Sequence, residues 1–154
     1  MPQVTKGGKY IFGWSVIKED YTLNIPNMAM EEYKMVKEDK VFIFSGSKST
    51  GGFCVTRKGL LKNSKLRGIL YDNLRLMNYE LKEGELIKYK GRSYAYLNIN
   101  DGKIKISKDM IDKLDLKSGD KLLSIRSSDI AFTMGLKGQL IERAKNYEGY
   151  IEVY

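Results

Sequence analysis

The chain has 154 residues, enough for one domain or a tightly joined pair of half-domains that buries roughly two-thirds of its surface. Lys and Arg number 27 against 19 Asp and Glu, which gives a net charge of +8, and histidine is absent. This composition favours a polyanionic partner such as nucleic acid, and it excludes catalysis or metal binding through histidine. The single cysteine, Cys54, excludes an intrachain disulfide and is expected to be a buried free thiol.

No apolar run approaches the ~20 residues that a membrane helix needs. The first eight residues contain two adjacent glycines and no apolar core of the signal-peptide type, so we interpret 1–8 as a flexible lead-in. We therefore expect a cytoplasmic protein in a reducing compartment, with no membrane partner and no cofactor.

The first predicted unit, residues 9–59, contains four short strands and one short helix. Alternation and β-branched or aromatic residues predict strands at 9–17, 21–25, 40–44 and 53–57, with a turn at 19–20. A short helix follows Pro26, and Asn27 is its candidate N-cap. This helix would place Ala29, Met30 and Tyr33 on one face.

Residues 60–92 connect the first unit to the second and have a less regular pattern. We expect a helix within 60–76 and a hairpin of strands 85–89 and 93–97 around Lys90-Gly91-Arg92. This connection carries 8 Lys and Arg against 4 Asp and Glu, the strongest positive excess along the chain.

The second predicted unit, residues 93–140, repeats the order of the first. Its strands are predicted at 93–99, 103–106, 121–126 and 130–134, and the Asp-Gly pair at 101–102 indicates a tight hairpin. Ser107 is a good N-cap for the following helix, and Gly119 is expected to end that helix. A second helix at 139–145 runs into the C-terminal segment, 141–154, which ends in a strand at 150–154.

The two units align without a gap when residues 22–47 are placed over 103–128, at a constant offset of 81. The four identical pairs are Ile25/Ile106, Asp39/Asp120, Lys40/Lys121 and Ser47/Ser128. The apolar positions agree far better than the identities do. We interpret the pattern as an internal repeat of a β-β-α-β-β unit, although two unrelated stretches that happen to align are the alternative.

A set of local features in the second unit has a characteristic order. Gly102-Lys103 precedes an alternating strand, a short helix follows, and Gly119-Asp120-Lys121-Leu122 leads into the next strand. This order resembles the AbrB/SpoVT-type domain family. The first unit keeps Ile25-Pro26 and Asp39-Lys40-Val41, but it has Glu38 where the family usually has Gly and no Gly before Thr22.

The resemblance implies a mostly β fold with short helices. Family members usually form a swapped-hairpin barrel from two chains, and here one chain with two tandem copies would close the barrel as a single-chain pseudo-dimer. One half alone has too few strands to be stable, and closure also removes exposed strand edges. A double-psi barrel is the alternative closure of the same elements.

The resemblance also implies DNA binding, as in transcription regulators and antitoxins. DNA-binding members often carry arginines after the turn glycine and in the short helix. The helix positions here are Met30-Glu31 and Ile111-Asp112, and acidic residues there would repel phosphate. We therefore expect a non-enzymatic regulator that binds DNA through an altered basic face. The alternative is an interaction module that binds a protein or a small anion and has lost DNA binding.

The candidate nucleic-acid-binding residues are basic. They lie after the turn glycine Gly102, on or after the strands that follow the predicted helices, or in the 88–92 hairpin. They are Lys103, Lys121, Arg126, Arg57, Lys58, Lys90 and Arg92. A loop with glycines, hydroxyls and a lysine is a candidate anion site through its backbone N–H groups. Its residues are Gly46, Ser47, Lys48 and Ser49. Carboxylate pairs such as Glu38/Asp39 are typical of a solvated surface, so no catalytic or metal site is predicted.

Overall fold

A computed structural model describes residues 10–154 of the chain, so the predicted lead-in at 1–8 lies outside the described residues. The fold is mostly β, with a seven-stranded antiparallel sheet, a two-stranded sheet and short helices. The strands are β1 (Ile11–Val16), β2 (Thr22–Asn24), β3 (Lys40–Ser45), β4 (Phe53–Thr56), β5 (Ile87–Tyr89), β6 (Arg92–Asn98), β7 (Lys103–Lys105), β8 (Lys121–Arg126) and β9 (Phe132–Gly135). The helices are α1 (Asn27–Glu32), α2 (Lys58–Leu61), α3 (Gly68–Tyr71), α4 (Leu74–Met77), α5 (Lys108–Lys113) and α6 (Gln139–Lys145), with a 3-10 turn at Met35–Lys37.

The order of strands in the large sheet differs strongly from their order in the chain. It is β1-β8-β9-β4-β3-β6-β5, and the small sheet pairs β2 with β7. Three junctions of the large sheet are long-range: β1 pairs with β8, β4 with β9, and β3 with β6. The small sheet places Leu23 directly opposite Ile104.

The large sheet is buried on both faces. Successive side chains of a strand point to opposite sides of a sheet, so each strand contributes to the core on either face. In β3, Val41 and Ile43 belong to a central hydrophobic core that both sheets share with α1 and α5. Phe42 and Phe44 belong to a second cluster on the opposite face. Tyr33 also lies in the central core, as the predicted helix face requires.

Two segments outside the sheet cover its outer face. Leu61, Ile69 and Leu76 of the 60–92 connection pack in the cluster of Phe42 and Phe44. Farther along the sheet, α6 and Ile151 cover Trp14 and neighbouring residues of β1 and β8. The connection between the predicted units is therefore part of the packed structure.

The two short helices α1 and α5 are capped differently. Ser107 caps α5 as predicted, since its hydroxyl accepts a hydrogen bond from the Met110 N–H at 3.1 Å. The prediction that Asn27 caps α1 is wrong, because Asn27 is the first residue of the helix. Pro26 occupies the cap position, and its carbonyl accepts from the Ala29 N–H at 3.0 Å.

Three further predictions are corrected by the structure. The helix expected within 60–76 is three single turns, because Ser64 and Asn73 bond backbone carbonyls of the preceding turn and compete with helix continuation. Gly119 does not end α5, which ends at Lys113 before Asp115 takes a positive φ of 55°. The strand expected at 150–154 is a single bridge, Trp14 to Val153.

The helices of residues 10–154 are short. The longest of them, α6, has 7 residues, whereas a helix that crosses a bilayer needs about 20. Within the described part of the chain, no helix has the length and apolar character to span a membrane.

The start of β4 depends on a close backbone approach. Gly51 and Gly52 both have a φ of +62°, a conformation that costs a non-glycine residue about 1–2 kcal/mol. A side chain on Gly52 would overlap the carbonyl oxygen of Met134, whereas a Cβ on Gly51 would meet Leu136 at an ordinary 3.5 Å. Gly52 therefore permits the pairing of Phe53 with Met134, where β4 meets β9.

We expect Gly52→Ala to destabilise the protein more than Gly51→Ala does. Both variants carry the same backbone cost of about 1–2 kcal/mol, and Gly52→Ala adds an overlap that costs about 1–3 kcal/mol. Urea unfolding followed by circular dichroism measures both. Equal midpoints for the two variants would contradict the close approach of Gly52 to β9.

Candidate nucleic-acid interface

Arg57 follows β4 and points into the protein. Its Nε donates to the Tyr33 carbonyl oxygen at 2.9 Å, and its Nη1 donates to Glu38 Oε2 at 2.9 Å. The same Glu38 oxygen accepts from the Gly59 N–H at 3.0 Å. Only 11% of the Arg57 side chain is exposed, so its charge is compensated and it holds the end of α1 to the start of α2.

Arg126, at the end of β8, is also paired with carboxylates. Its Nε lies 2.8 Å from Glu32 Oε2, and its Nη2 lies 3.5 Å from Asp129 Oδ1. The nearby Glu32 carboxylate raises the pKa of Arg126. A phosphate at this guanidinium would therefore compete with two carboxylates of the chain itself.

Lys58 and Lys121 lie over aromatic rings. Lys58 Nζ is 4.1 Å from the ring centroid of Tyr79, which stacks on Phe42 with centroids 5.5 Å apart. Burial lowers the pKa of the Lys58 ammonium. Lys121 Nζ is 4.7 Å from the ring centroid of Trp14. Both ammonium groups thus make cation–π contacts within the fold, and a phosphate would have to compete with those contacts.

Lys90 and Arg92 stand at the tip of the β5–β6 hairpin, where the sequence predicted them. Arg92 lies 5.4 Å from the ring centroid of Phe44, and Lys90 lies 5.3 Å from that of Tyr89. Both side chains belong to exposed residues. Lys103 is also exposed, but it belongs to β7, in the two-stranded sheet.

Two neighbouring hollows on the outer face share Arg92 and Leu66, and together we call them the basic groove. One has a volume of 390 Å³ and extends from Arg92 to Arg126; the other has a volume of 370 Å³ and includes Lys65 and Lys90. Neither hollow is lined by an Asp or Glu. The structure thus brings four of the chain's cations to one groove. The carboxylates next to it are Glu32 and Asp129, which pair with Arg126, and Asp72, which accepts a hydrogen bond from the Tyr89 hydroxyl.

The cations of the basic groove differ in how they are compensated. Arg126 is paired with Glu32 and Asp129, as described above. Within residues 10–154, no carboxylate lies within 4 Å of the charged groups of Lys65, Lys90 or Arg92. These three side chains are therefore the part of the groove with unneutralised charge.

Lys65 is the member of this set that sequence reasoning missed. It lies in the stretch 60–76, which was predicted to contain a helix, and an exposed lysine there is an ordinary solvated residue. The available indication was the excess of Lys and Arg in 60–92. The break after α2 turns Lys65 and Leu66 toward the β5–β6 hairpin, where they line a hollow with Lys90 and Arg92.

The predicted anion loop is compact. The Ser47 hydroxyl lies 3.0 Å from that of Ser49 and 3.1 Å from that of Thr50, and the Gly46 N–H donates to the Gly52 carbonyl at 3.1 Å. Ser47 and Thr50 line the 390 Å³ hollow, whereas Gly46, Lys48 and Ser49 do not. The loop thus contributes hydroxyls to the end of the basic groove near Arg126.

Cys54 also lines the 390 Å³ hollow. Burial raises the pKa of its thiol, and its Sγ lies 3.5 Å from Thr133 Oγ1. A raised pKa keeps the sulfur in its weakly nucleophilic thiol form. Among residues 10–154, no group of three or more Cys, Asp and Glu side chains is placed to hold a metal ion.

Comparisons with known proteins add no relative. No protein-family model, no curated protein and no solved structure matches this chain. A proposal for the function of this protein therefore rests on the geometry and charge of the described residues.

We expect Arg57→Ala to destabilise the fold. Removing one partner of a largely buried ion pair leaves the Glu38 carboxylate unpaired, which costs roughly 3 kcal/mol. Chemical unfolding measures the loss. An unfolding midpoint equal to that of the parent protein would contradict the structural role of the Arg57–Glu38 pair.

Tyr79 makes stability depend on pH in the alkaline range. Burial first, and then the charges of Glu38 and Asp39, raise its pKa from 10.0 to about 12. Between these two values the unfolded chain loses the phenol proton and the folded chain keeps it, so stability falls as pH rises through this window. We expect Tyr79→Phe to show a smaller loss of stability between about pH 10 and 12 and the same pH dependence below 10. Urea midpoints across this range test it, and parallel curves for the two proteins would refute it.

Proposed function

We propose that this protein binds duplex DNA through the basic groove and acts as a non-enzymatic transcription regulator. The observation that carries the proposal is the set of Lys65, Lys90 and Arg92. They lie together in the basic groove and have no ion-pair partner in the described part of the chain. Affinity for a duplex depends on how many phosphates are neutralised by clustered cations. Such a regulator would act in the cytoplasm, where the Cys54 thiol stays reduced.

The flank of the groove supplies groups that suit a phosphate backbone. The hydroxyl-bearing residues Ser47, Thr50 and Ser128 line the hollow beside Arg92. Hydroxyl and backbone groups contact phosphate and sugar oxygens in many protein–DNA interfaces and fix the orientation of the protein. The groove therefore favours contacts with the backbone, which are largely independent of base sequence.

We also propose that the fold is built from two tandem β-β-α-β-β units. The elements β2, α1 and β3 have the same lengths as β7, α5 and β8, which begin 81 residues later in each case. The first strand of each proposed unit pairs with the third strand of the other, β1 with β8 and β6 with β3. This exchange of strands supports a barrel of the swapped-hairpin type over the double-psi alternative.

The proposed architecture connects the chain to the AbrB/SpoVT-type family that its sequence resembles. In such a relative, DNA binding would have moved from the short helices to the 60–92 connection. The exposed Glu31 and Asp112 at the usual helix positions support this change, since both would repel phosphate there. Lys65, Lys90 and Arg92 all belong to the connection or its hairpin.

A second candidate function is the binding of a small anion. The 390 Å³ hollow favours it, because Arg92 and several hydroxyls surround a floor of apolar residues such as Ile130 and Leu140. A carboxylate or phosphate on a small apolar body would fit this combination. Inorganic phosphate that protects the protein against thermal unfolding, with no affinity for a duplex, would favour this second function over the first.

The salt dependence of DNA binding tests the proposal. We expect fluorescence anisotropy with a labelled duplex to show affinity that falls steeply between about 50 and 200 mM salt. Lys65→Ala, Lys90→Ala and Arg92→Ala should each weaken binding and lower the slope of log K against log salt by about 1. The triple variant should lose binding at physiological salt.

Two matched variants serve as controls. Lys117→Ala removes an exposed lysine outside the groove and should bind like the parent protein. Lys103→Ala distinguishes the basic groove from the usual face of the family, because Lys103 follows the turn glycine of the second proposed unit. A loss with Lys103→Ala and none with the triple variant would overturn the proposed location, and no duplex affinity at low salt would overturn DNA binding itself.

A further inference from the structure

A second and larger groove runs between α1 and the turn that joins β6 to β7. We call it the α1 groove; its volume is 980 Å³. Its apolar wall includes Met30, Met35 and Ile99, and Val36 lies at its rim with 83% of its surface exposed. None of the seven predicted nucleic-acid-binding residues lines it except Lys58.

The α1 groove is open beside Gly102, whereas the matching position elsewhere in the fold, Tyr21, carries an aromatic side chain. Gly102 and Tyr21 stand just before β7 and β2, and both have positive φ angles, 76° and 65°. The Gly102 carbonyl accepts from the Ile25 N–H at 2.7 Å, and the Tyr21 carbonyl accepts from the Ile106 N–H at 2.7 Å. The two residues thus occupy matching positions on either side of the two-stranded sheet.

The side chain of Tyr21 shows where a side chain attached at this type of position packs. It is half-buried and packs on the central core, as do Ile111 and Leu114. At the other position, Gly102 offers no side chain, and a Cβ placed there would lie 3.8 Å from Cγ and 3.9 Å from Sδ of Met30. The floor of the α1 groove at Met30 is therefore an apolar surface next to Gly102. In the other half, the matching residue is Tyr21, whose side chain covers the core.

The rim of the α1 groove is mainly acidic. Four carboxylates line it, against the two ammonium groups of Lys37 and Lys58; they are Glu31, Glu38, Asp39 and Asp101. Glu38 is bound by Arg57, and Lys58 lies on the ring of Tyr79. In the described part of the chain, no cation lies within 4 Å of the carboxylates of Glu31 and Asp101, which leaves them free to meet a positive partner.

We propose that the α1 groove binds a segment of a partner protein that presents an aromatic side chain next to a lysine or arginine. The aromatic ring would pack on Met30, as a side chain attached at Gly102 would, and the cation would meet Glu31 or Asp101. Methionine adapts its shape to a ring and makes favourable sulfur–aromatic contacts. The acidic rim opposes DNA, so the α1 groove and the basic groove take different partners.

Methyl NMR with a peptide probe tests this proposal. The protein is labelled with ¹³C at the methionine methyl groups, and the Met30 signal is assigned by Met30→Leu. The probe is an acetylated and amidated Lys-Tyr-Lys peptide. We expect the Met30 methyl signal to move upfield in a saturable way, because it would lie over the tyrosine ring. Lys-Ala-Lys and Glu-Tyr-Glu peptides should bind at least tenfold more weakly.

A second test places an aromatic side chain of the protein itself in the α1 groove. Gly102→Tyr places a ring where Tyr21 has one in the other half, and it should weaken the Lys-Tyr-Lys peptide at least tenfold. Gly119→Tyr is the matched control, since Gly119 also has a positive φ, 92°, and open space around it. The double variant Glu31→Gln with Asp101→Asn leaves Gly102 unchanged and removes both candidate partners of the peptide's cation, so it should weaken peptide binding several-fold at low salt.

Several outcomes would overturn the proposal. These are an unmoved Met30 signal at millimolar peptide, equal affinity for Lys-Ala-Lys, and unchanged affinity in the double variant Glu31→Gln with Asp101→Asn. A protein dimer that Gly102→Tyr converts to a monomer in sedimentation would show that the occupant is a second copy of the chain. A duplex that moves the Met30 signal would show that the groove binds DNA instead. DNA affinity lost in the Lys65, Lys90 and Arg92 variants concerns the other groove and leaves this test intact.

Discussion

The structure depends on hydrogen bonding between strands that are far apart in the sequence. β1 is held by β8, β3 by β6 and β4 by β9, and only the remaining junctions of the large sheet are hairpins between neighbouring strands. A few strands with one apolar face are too little to be stable. Joined in this way, they form one sheet with a common core on one face and two clusters on the other.

Because both faces of the large sheet are buried, a partner can bind only at the edges of the sheet and on the connecting segments. Each groove lies at such a place, one where the 60–92 connection meets the β5–β6 hairpin and the other between α1 and the β6–β7 turn. Two arginines next to the sheet, Arg57 and Arg126, are used by the fold, as their carboxylate partners show. The basic groove owes its unpaired cations to the connection and the hairpin, which supply Lys65, Lys90 and Arg92.

Local patterns in the sequence predicted most elements, because alternation and capping are local properties. The strand at 121–126 and the helix at 139–145 match the structure at both ends, and Ser107 caps α5. Side-chain competition for backbone carbonyls at Ser64 and Asn73 divides the expected helix, and neither residue is a strong breaker by itself. The internal alignment at an offset of 81 placed matching elements, but pairing of β1 with β8 is a tertiary property that no local pattern contains.

The candidate site was harder to predict than the elements. The sequence gives a residue's charge, but whether a carboxylate neutralises it depends on the fold, as the contrast between Arg57 and Arg92 shows. The α1 groove depends on an absence, since Gly102 has no side chain just before β7, whereas Tyr21, just before β2, has one that packs on the core. The missing glycine before Thr22 was visible in the sequence as a departure from the family pattern, but its effect on the surface appears only with the backbone positions of Tyr21 and Gly102.

The position of β1 between β8 and the last residues of the chain has a consequence during protein synthesis. Its hydrogen-bonding partners are residues 121–126 on one side and the segment around Val153 on the other. At translation rates of about 5–20 residues per second, β1 therefore waits roughly 5–20 s for its first partner to be made. During that interval an apolar strand with two unpaired edges is exposed to the cell, so the nascent chain has more need of chaperone protection than the finished protein.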